Sequence, residues 1–366
     1  MIEETVYEAA RRSGMSKREF LKFCMLTAAN LGLESTMVPR VVAALETKPR
    51  PAIYWLNLAG CTCCTESLIK SSHPLISDAI LGIISLDYME TIQVAAGHQA
   101  EEIVWNGMKQ NYGNYLLAVE GSVPTKDGGV YCTIGGMTAL DYLQKAAAGA
   151  KAIISVGSCS SFGCVTTAYP NPTGCKPIHD IIKDKPVVNL PGCPPIPNVI
   201  AGTIVHLITF GTLPELDSLG RPKVFYGTRI HDKCYRRAFF DASMFVEKFD
   251  DEGARKGWCL YKVGCRGPVT YNACAVVKWN DGVSFPIQSG HPCLGCSEPN
   301  YWDHRPLYEH AAGVSLPGFP TADRIGATLA IATAGATAVH LTASAIRRAK
   351  QKSAASQPQQ NPPKEG

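Results

Sequence analysis

The chain has 366 residues, 46% hydrophobic and 18% charged, a globular and rather apolar balance with length for two domains and a substantial core. Its net charge of +4 is too slight to argue for a nucleic-acid binder. Fifteen cysteines are the outlier, and a chain of this size is not the small secreted scaffold in which such a count reads as disulfides.

The first 44 residues have the layout of a targeting peptide. Ser16-Lys17-Arg18-Glu19-Phe20-Leu21-Lys22 precedes an apolar stretch from Phe23 to Leu33, and Val42-Ala43-Ala44 offers small residues for cleavage. The segment resembles a twin-arginine signal, although Lys17 stands where the first arginine is expected and Arg11-Arg12 lacks the Phe-Leu-Lys element. The alternative is an ordinary amphipathic helix. We set residues 1–44 outside the expected fold.

Residues 45–226 read as one α/β domain. Short apolar runs predict strands at Ile53–Leu58, Ile80–Leu86, Tyr115–Val119, Ala152–Val156, Pro186–Leu190 and Lys223–Tyr226, with helices at Met137–Ala148 and Pro197–Thr209. Strands alternating with helices imply a flavodoxin-like, doubly wound parallel sheet, whose sites lie at the carboxyl ends of strands. Cys61 and Cys64 follow the first predicted strand, Cys159 the fourth and Cys193 the fifth. Cys63 and Cys164 fall in the same loops. Six thiols exceed the four that an ordinary cubane cluster uses, so these two are either extra ligands or bystanders.

Residues 227–315 change character, with few apolar runs and many Gly, Pro and aromatic residues. His231, Cys234, Cys259 and Cys265 can supply one imidazole and three thiolates, a set that suits an iron–sulfur cluster or a structural zinc. Cys274, Cys293 and Cys296 supply three more thiolates, which suit a cluster lacking one iron better than a closed zinc site. So loop-rich a segment is expected to draw folding free energy from bound metal.

Toward the C-terminus, Ile325 to Ile346 carries no charged residue and is long enough to span a bilayer. Arg347, Arg348, Lys350 and Lys352 follow, which places the C-terminus on the cytoplasmic side and the body outside. A buried soluble helix is the alternative. The remainder, residues 347–366, is expected to be a disordered cytoplasmic tail.

Cys-Thr-Cys-Cys-Thr-Glu-Ser at 61–67, Gly-Ser-Cys at 157–159, Pro-Gly-Cys-Pro-Pro at 191–195 and His-Asp-Lys-Cys-Tyr-Arg-Arg at 231–237 form a distinctive set. Residues 280–296, ending His-Pro-Cys-Leu-Gly-Cys, are the most specific. Over nearly the whole chain, the sequence resembles the small subunit of a membrane-bound nickel–iron uptake hydrogenase, of the oxygen-tolerant type. The resemblance implies three clusters. Cys61, Cys64, Cys159 and Cys193, with Cys63 and Cys164, would hold the proximal one. His231, Cys234, Cys259 and Cys265 would hold a distal 4Fe–4S cluster. Cys274, Cys293 and Cys296 would hold a medial 3Fe–4S cluster, with Pro286 where a fourth thiolate could stand.

Oxygen-sensitive relatives have glycine at the positions of Cys63 and Cys164. Their presence here implies a proximal 4Fe–3S cluster in place of 4Fe–4S, with Glu120 beside it and the Cys64 backbone nitrogen as a further ligand on oxidation. The resemblance also implies a large-subunit partner bearing nickel and iron, and a membrane b-type cytochrome that passes electrons to quinone. It further allows a dimer of heterodimers. No catalytic residue is expected in this chain. His340, in the anchor, would face the cytochrome or another helix. Ala59-Gly60 depart from the family, where a bulkier residue and a glutamate often precede Cys61. Cys24, Cys132 and Cys175 are left over, the last two as packing residues. The competing readings are an oxygen-sensitive hydrogenase subunit and a zinc-binding structural protein.

Overall fold

A computed structural model describes residues 4–30, 34–71, 84–280, 282–303, 306–309 and 322–355. It falls into two compact units, Met1–His310 and Ala311–Gly366.

The segment set aside as a leader is helical: α1 (Val6–Arg12), α2 (Lys17–Asn30) and α3 (Val38–Thr47). Thr5 and Glu8 cap α1 reciprocally, and Ser16 and Glu19 exchange the same pair of bonds at α2. Val6, Phe20, Cys24, Ala28, Val41 and Leu45 are buried in the main core. Lys17 and Arg18 are exposed, whereas Phe20 of the same motif is not.

Five strands follow: β1 (Ala52–Asn57), β2 (Ser85–Met89), β3 (Tyr115–Glu120), β4 (Ala150–Val156) and β5 (Val187–Leu190). They pair parallel in the order β2-β1-β3-β4-β5, the flavodoxin-like order expected from the alternating pattern. Every residue of β3 is buried, because helices cover both faces and no solvent face remains to carry polar residues. Alternate residues divide between two cores. Ile53, Trp55, Leu116 and Ile154 pack with α8 (Pro197–Phe210), and Tyr54, Leu56, Leu117 and Ile153 with α5 (Gly97–Gln110) and α6 (Ala139–Ala148). Between β1 and α5, and between β4 and β5, lie α4 (Cys63–Ile69) and α7 (Gly157–Phe162).

Three expectations for the sheet domain need correction. Lys223–Tyr226 is a helical turn, not a strand. Pro222 opens it, and its carbonyl accepts from the amides of Phe225 and Tyr226, both at 3.0 Å. A four-residue apolar run has too few residues for its period to be read. The second strand begins at Ser85; residues 80–83 of the expected strand lie outside the described residues. The helix expected from Met137 begins at Ala139, because Thr138 accepts from Asp141 N at 3.2 Å as its cap, while Met137-Thr138 pair with Thr133-Ile134.

Beyond Gly227 the chain runs mostly in turns, and buried guanidinium groups take the place of regular hydrogen bonding. Arg236 donates to the Trp258 carbonyl at 2.7 Å. Arg266, 5% exposed, donates to the carbonyls of Leu294 at 3.1 Å, Pro306 at 3.2 Å and Tyr301.

The second unit contains α9 (Ala322–Ala355). Its segment Thr328–Lys350 has a mean hydropathy of 1.5 and meets the length and composition needed to cross a membrane. Thr333, Thr337 and Thr342 donate their hydroxyls to carbonyls one turn back, so these polar groups are satisfied within the helix. His340 lies on it, exposed. Residues 347–355, expected to be disordered, continue the helix. Arg, Ala, Lys and Gln are good helix formers there, and no glycine or proline interrupts them.

Candidate metal centres

The carboxyl edge of the sheet gathers six thiols. Cys61, Cys63 and Cys64 follow β1, Cys159 and Cys164 follow β4, and Cys193 follows β5. Glu120, the last residue of β3 and 2% exposed, organises the first loop. Its carboxylate accepts from Cys64 N at 2.9 Å, Thr65 N at 2.9 Å, Thr65 Oγ1 at 2.6 Å and Trp55 Nε1 at 3.4 Å. These bonds satisfy amides at the start of α4 that have no partner inside the helix. Glu120 is therefore a buried, hydrogen-bonded carboxylate. Gly157 lies against this loop at φ +88°, and a Cβ there would collide with Cys64 Sγ, so only glycine leaves room for that thiol.

Cys61 and Cys193 are exposed, Cys63 and Cys159 half-buried, and Cys64 and Cys164 buried. A hydrogen bond with Cys61 pushes the Cys63 thiol up to about 11. One with Cys159 pushes Cys164 up to about 12. Burial, then Glu120, raises Cys64; a hydrogen bond with Cys164 raises Cys193. Cys63 and Cys164 thus touch the other thiols of the group, and metal binding would have to displace protons from them. Cys164 also holds φ +51°, a left-handed conformation that favours glycine, so a side chain is carried there at a cost of about 1–2 kcal/mol.

The second group lies in the turn-rich segment. Burial pushes the thiols of Cys234 and Cys265 up, and that of Cys259 to about 11, with Arg236 opposing in each case. Gly267 packs between its members: a Cβ there would lie 3.5 Å from Cys265 Sγ and 3.7 Å from His231 N. Burial, followed by Arg237, lowers the His231 pKa and favours a neutral imidazole that can ligate. The His231 ring meets Phe240 edge-on, with centroids 4.5 Å apart.

The third group sits between the other two. Burial raises Cys274 and Cys293; the neighbours of Cys293 are Cys265, Cys296 and Cys274. Cys293 N donates to Cys265 Sγ at 3.4 Å, which joins the third group to the second. Burial pushes Cys296 up to about 11, and the groups acting on it next are the Cys193 backbone and thiol, which join it to the first. Ser158 ties the same junction, accepting from Gly192 N at 2.9 Å and donating to the Cys296 carbonyl. Pro286 is exposed, between buried Phe285 and Ile287, and its carbonyl accepts from His291 N at 2.9 Å.

The donor chemistry fits iron–sulfur clusters. Among the described residues, no three His, Cys, Asp or Glu side chains converge closely enough to hold a single metal ion. Thiolates with one neutral imidazole are the donors such clusters use. Cys24 packs in the core, Cys175 is buried with its thiol 3.1 Å from Thr173 Oγ1, and Cys132 is half-buried near Cys175. Trp55 bonded to Glu120, Trp279 beside Cys274 and Tyr301 beside Cys164 were not foreseen. They carry no spacing signal, since each reaches its partner through the fold.

Residues 226–309 match the family described as the C-terminal part of the NiFe/NiFeSe hydrogenase small subunit, and residues 61–207 that described as NADH ubiquinone oxidoreductase, 20 Kd subunit. The uptake hydrogenase small subunit of Afipia carboxidovorans is 54% identical over 350 residues, 95% of each chain. The hydrogenase-1 small chain of Escherichia coli K12 is 52% identical over 345 residues, 94% of this chain and 93% of that one. Among solved structures, the Dm. baculatum NiFeSe hydrogenase superimposes with a TM-score of 0.68 at 33% identity, over 72% of this chain and 100% of the other. An actinobacterial-type NiFe hydrogenase from Ralstonia eutropha, at 23% identity and a TM-score of 0.65, shares the fold. The thiol-lined sheet edge and the turn-rich segment thus coincide with the two matched families, and identity extends across both: the chain belongs to the small subunits of nickel–iron uptake hydrogenases, the iron–sulfur electron-transfer component of that enzyme.

Proposed function

We propose that the three thiol groups hold a proximal, a medial and a distal cluster that carry electrons in that order. The observation that carries this reading is the continuity of the groups, through Cys193 and Cys296 on one side and Cys293 and Cys265 on the other. Cys61, Cys63, Cys64, Cys159, Cys164 and Cys193 would hold the proximal cluster, 4Fe–3S in type. Cys274, Cys293 and Cys296 would hold the medial 3Fe–4S cluster, and His231, Cys234, Cys259 and Cys265 the distal 4Fe–4S cluster. Bound there, the clusters would supply one-electron redox chemistry, with two closely spaced transitions at the proximal one to help reduce attacking oxygen.

The chain's own residues set the conditions. Glu120 accepts the Cys64 amide hydrogen and is placed to take that proton if the nitrogen is deprotonated. Exposed Cys61 and Cys193 mark the face that the nickel–iron large subunit would cover. His231, neutral and half-buried, adds no charge to the distal set and so favours a higher potential than a fourth thiolate. Residues 1–44 would act as the export signal. Helix α9 would anchor the body on the outward face of the cytoplasmic membrane, beside a b-type cytochrome leading to quinone.

Redox-titrated electron paramagnetic resonance on the purified complex tests the assignment. Two one-electron transitions from the proximal cluster and a 3Fe–4S signal are expected. A single proximal transition would return the chain to the oxygen-sensitive class; zinc without iron or acid-labile sulfide would end the cluster reading. The Cys63→Gly/Cys164→Gly double variant should keep anaerobic hydrogen oxidation and lose most of its turnover in air, and equal turnover in air would make both cysteines spectators.

A further inference from the structure

Tyr301 reaches the six-thiol group from a distant part of the chain. Its hydroxyl lies 3.3 Å from Cys164 Sγ, a buried contact between residues 137 apart in sequence. The tyrosine is 4% exposed. Its ring meets Trp302 edge-on at 5.7 Å, and its carbonyl receives the Arg266 guanidinium, itself anchored to Leu294 and Pro306. The hydroxyl is therefore held from both sides of its own backbone and is not a free rotor at a surface.

With Cys164 as a free thiol, the S–H can donate to the phenol oxygen. A ligating sulfur has no proton, so the bond can persist only with the tyrosine O–H as donor and the sulfur as acceptor. A phenol keeps its proton at neutral pH. A hydrogen bond to a ligand sulfur withdraws electron density and favours the electron-rich, reduced state of a cluster.

We propose that the Tyr301 hydroxyl donates to the Cys164 sulfur and raises the potential of the proximal centre, making Tyr301 a tuning residue for the supernumerary thiolate. This inference rests on the assignment of Cys164 as a proximal ligand. It concerns a residue that the spacing of the cysteines does not point to, and it gives the third segment of the chain a direct hold on the chemistry of the sheet edge.

The test is a redox-titrated resonance series on anaerobically purified complex, comparing the parent, Tyr301→Phe, Cys164→Gly and the double variant, with iron content measured on each. Phenylalanine fills the same space and leaves the backbone carbonyl for Arg266. In Tyr301→Phe the proximal transitions should shift to lower potential while iron content and the medial and distal potentials stay at parent values. Tyr301 also stands beside Cys193, so in the Cys164→Gly background the same substitution should cause a smaller shift. Glycine suits the left-handed backbone at 164, so that background should assemble. Unchanged proximal potentials in Tyr301→Phe, or an equal shift with and without Cys164, would overturn the proposal. So would loss of iron from Tyr301→Phe, which would make the hydroxyl structural. A parent with no proximal signal would instead defeat the cluster assignment itself.

Discussion

Glu120 shows what a single residue contributes at this edge. One carboxylate satisfies two backbone amides, a hydroxyl and an indole, all within the wall of the candidate proximal site. Glu120→Gln keeps the shape but turns an acceptor into a donor, which must then face one of those donors. A buried group left without a partner costs about 1–3 kcal/mol, so the variant complex should unfold at a lower temperature than the parent. The more oxidised proximal transition should also weaken, since an amide cannot take the Cys64 proton. A variant with parental melting and both transitions intact would show that the carboxylate only fills space. From sequence, Glu120 stood out as a strand-end carboxylate resembling the family's. Tyr301, by contrast, was not foreseeable, because nothing local distinguishes it from any other aromatic residue in a turn.

Among the elements, α8 is the most informative about packing. It is buried on nearly every side, against the sheet on one face and near α2 and α3 on another. His206 sits within it, its ring 4.7 Å from that of Phe210, and burial lowers its pKa from 6.5. The folded protein therefore resists protonating His206 while the unfolded chain does not. As pH falls below about 6.5, the unfolded state binds more protons and stability is lost. His206→Leu should flatten this part of the profile, read as melting temperature against pH for the two proteins. Identical slopes would mean that His206 titrates freely. The strands with long apolar runs were legible from sequence because both faces of the sheet are covered. The turn at Lys223–Tyr226 was not, since a local hydrogen-bonded turn and a short buried strand use the same residues.

For the whole molecule, the division into two units predicts separable behaviour. A chain ending at residue 320, produced with its partner subunit, should melt at the parental temperature and hold the same iron. It should also leave the membrane fraction. Retention in that fraction would assign membrane attachment to something other than α9. The N-terminal helices carry the opposite lesson. Their composition reads as an export signal, and in the unprocessed chain Phe20 and Cys24 pack in the core beside α8.

The α/β class, the order of the thiol loops after their strands and the residues of each candidate ligand set were all legible in the amino-acid sequence, because they depend on local patterns: apolar runs, strand-ending loops and short cysteine spacings. Which groups touch was settled by three-dimensional packing. That Cys293 lies against Cys265, that Cys296 lies against Cys193, and that Tyr301 reaches Cys164 are consequences of turns closing over long stretches of chain. Such contacts depend on side-chain packing and on buried arginines holding distant carbonyls, and they leave no periodic trace in the residues that make them.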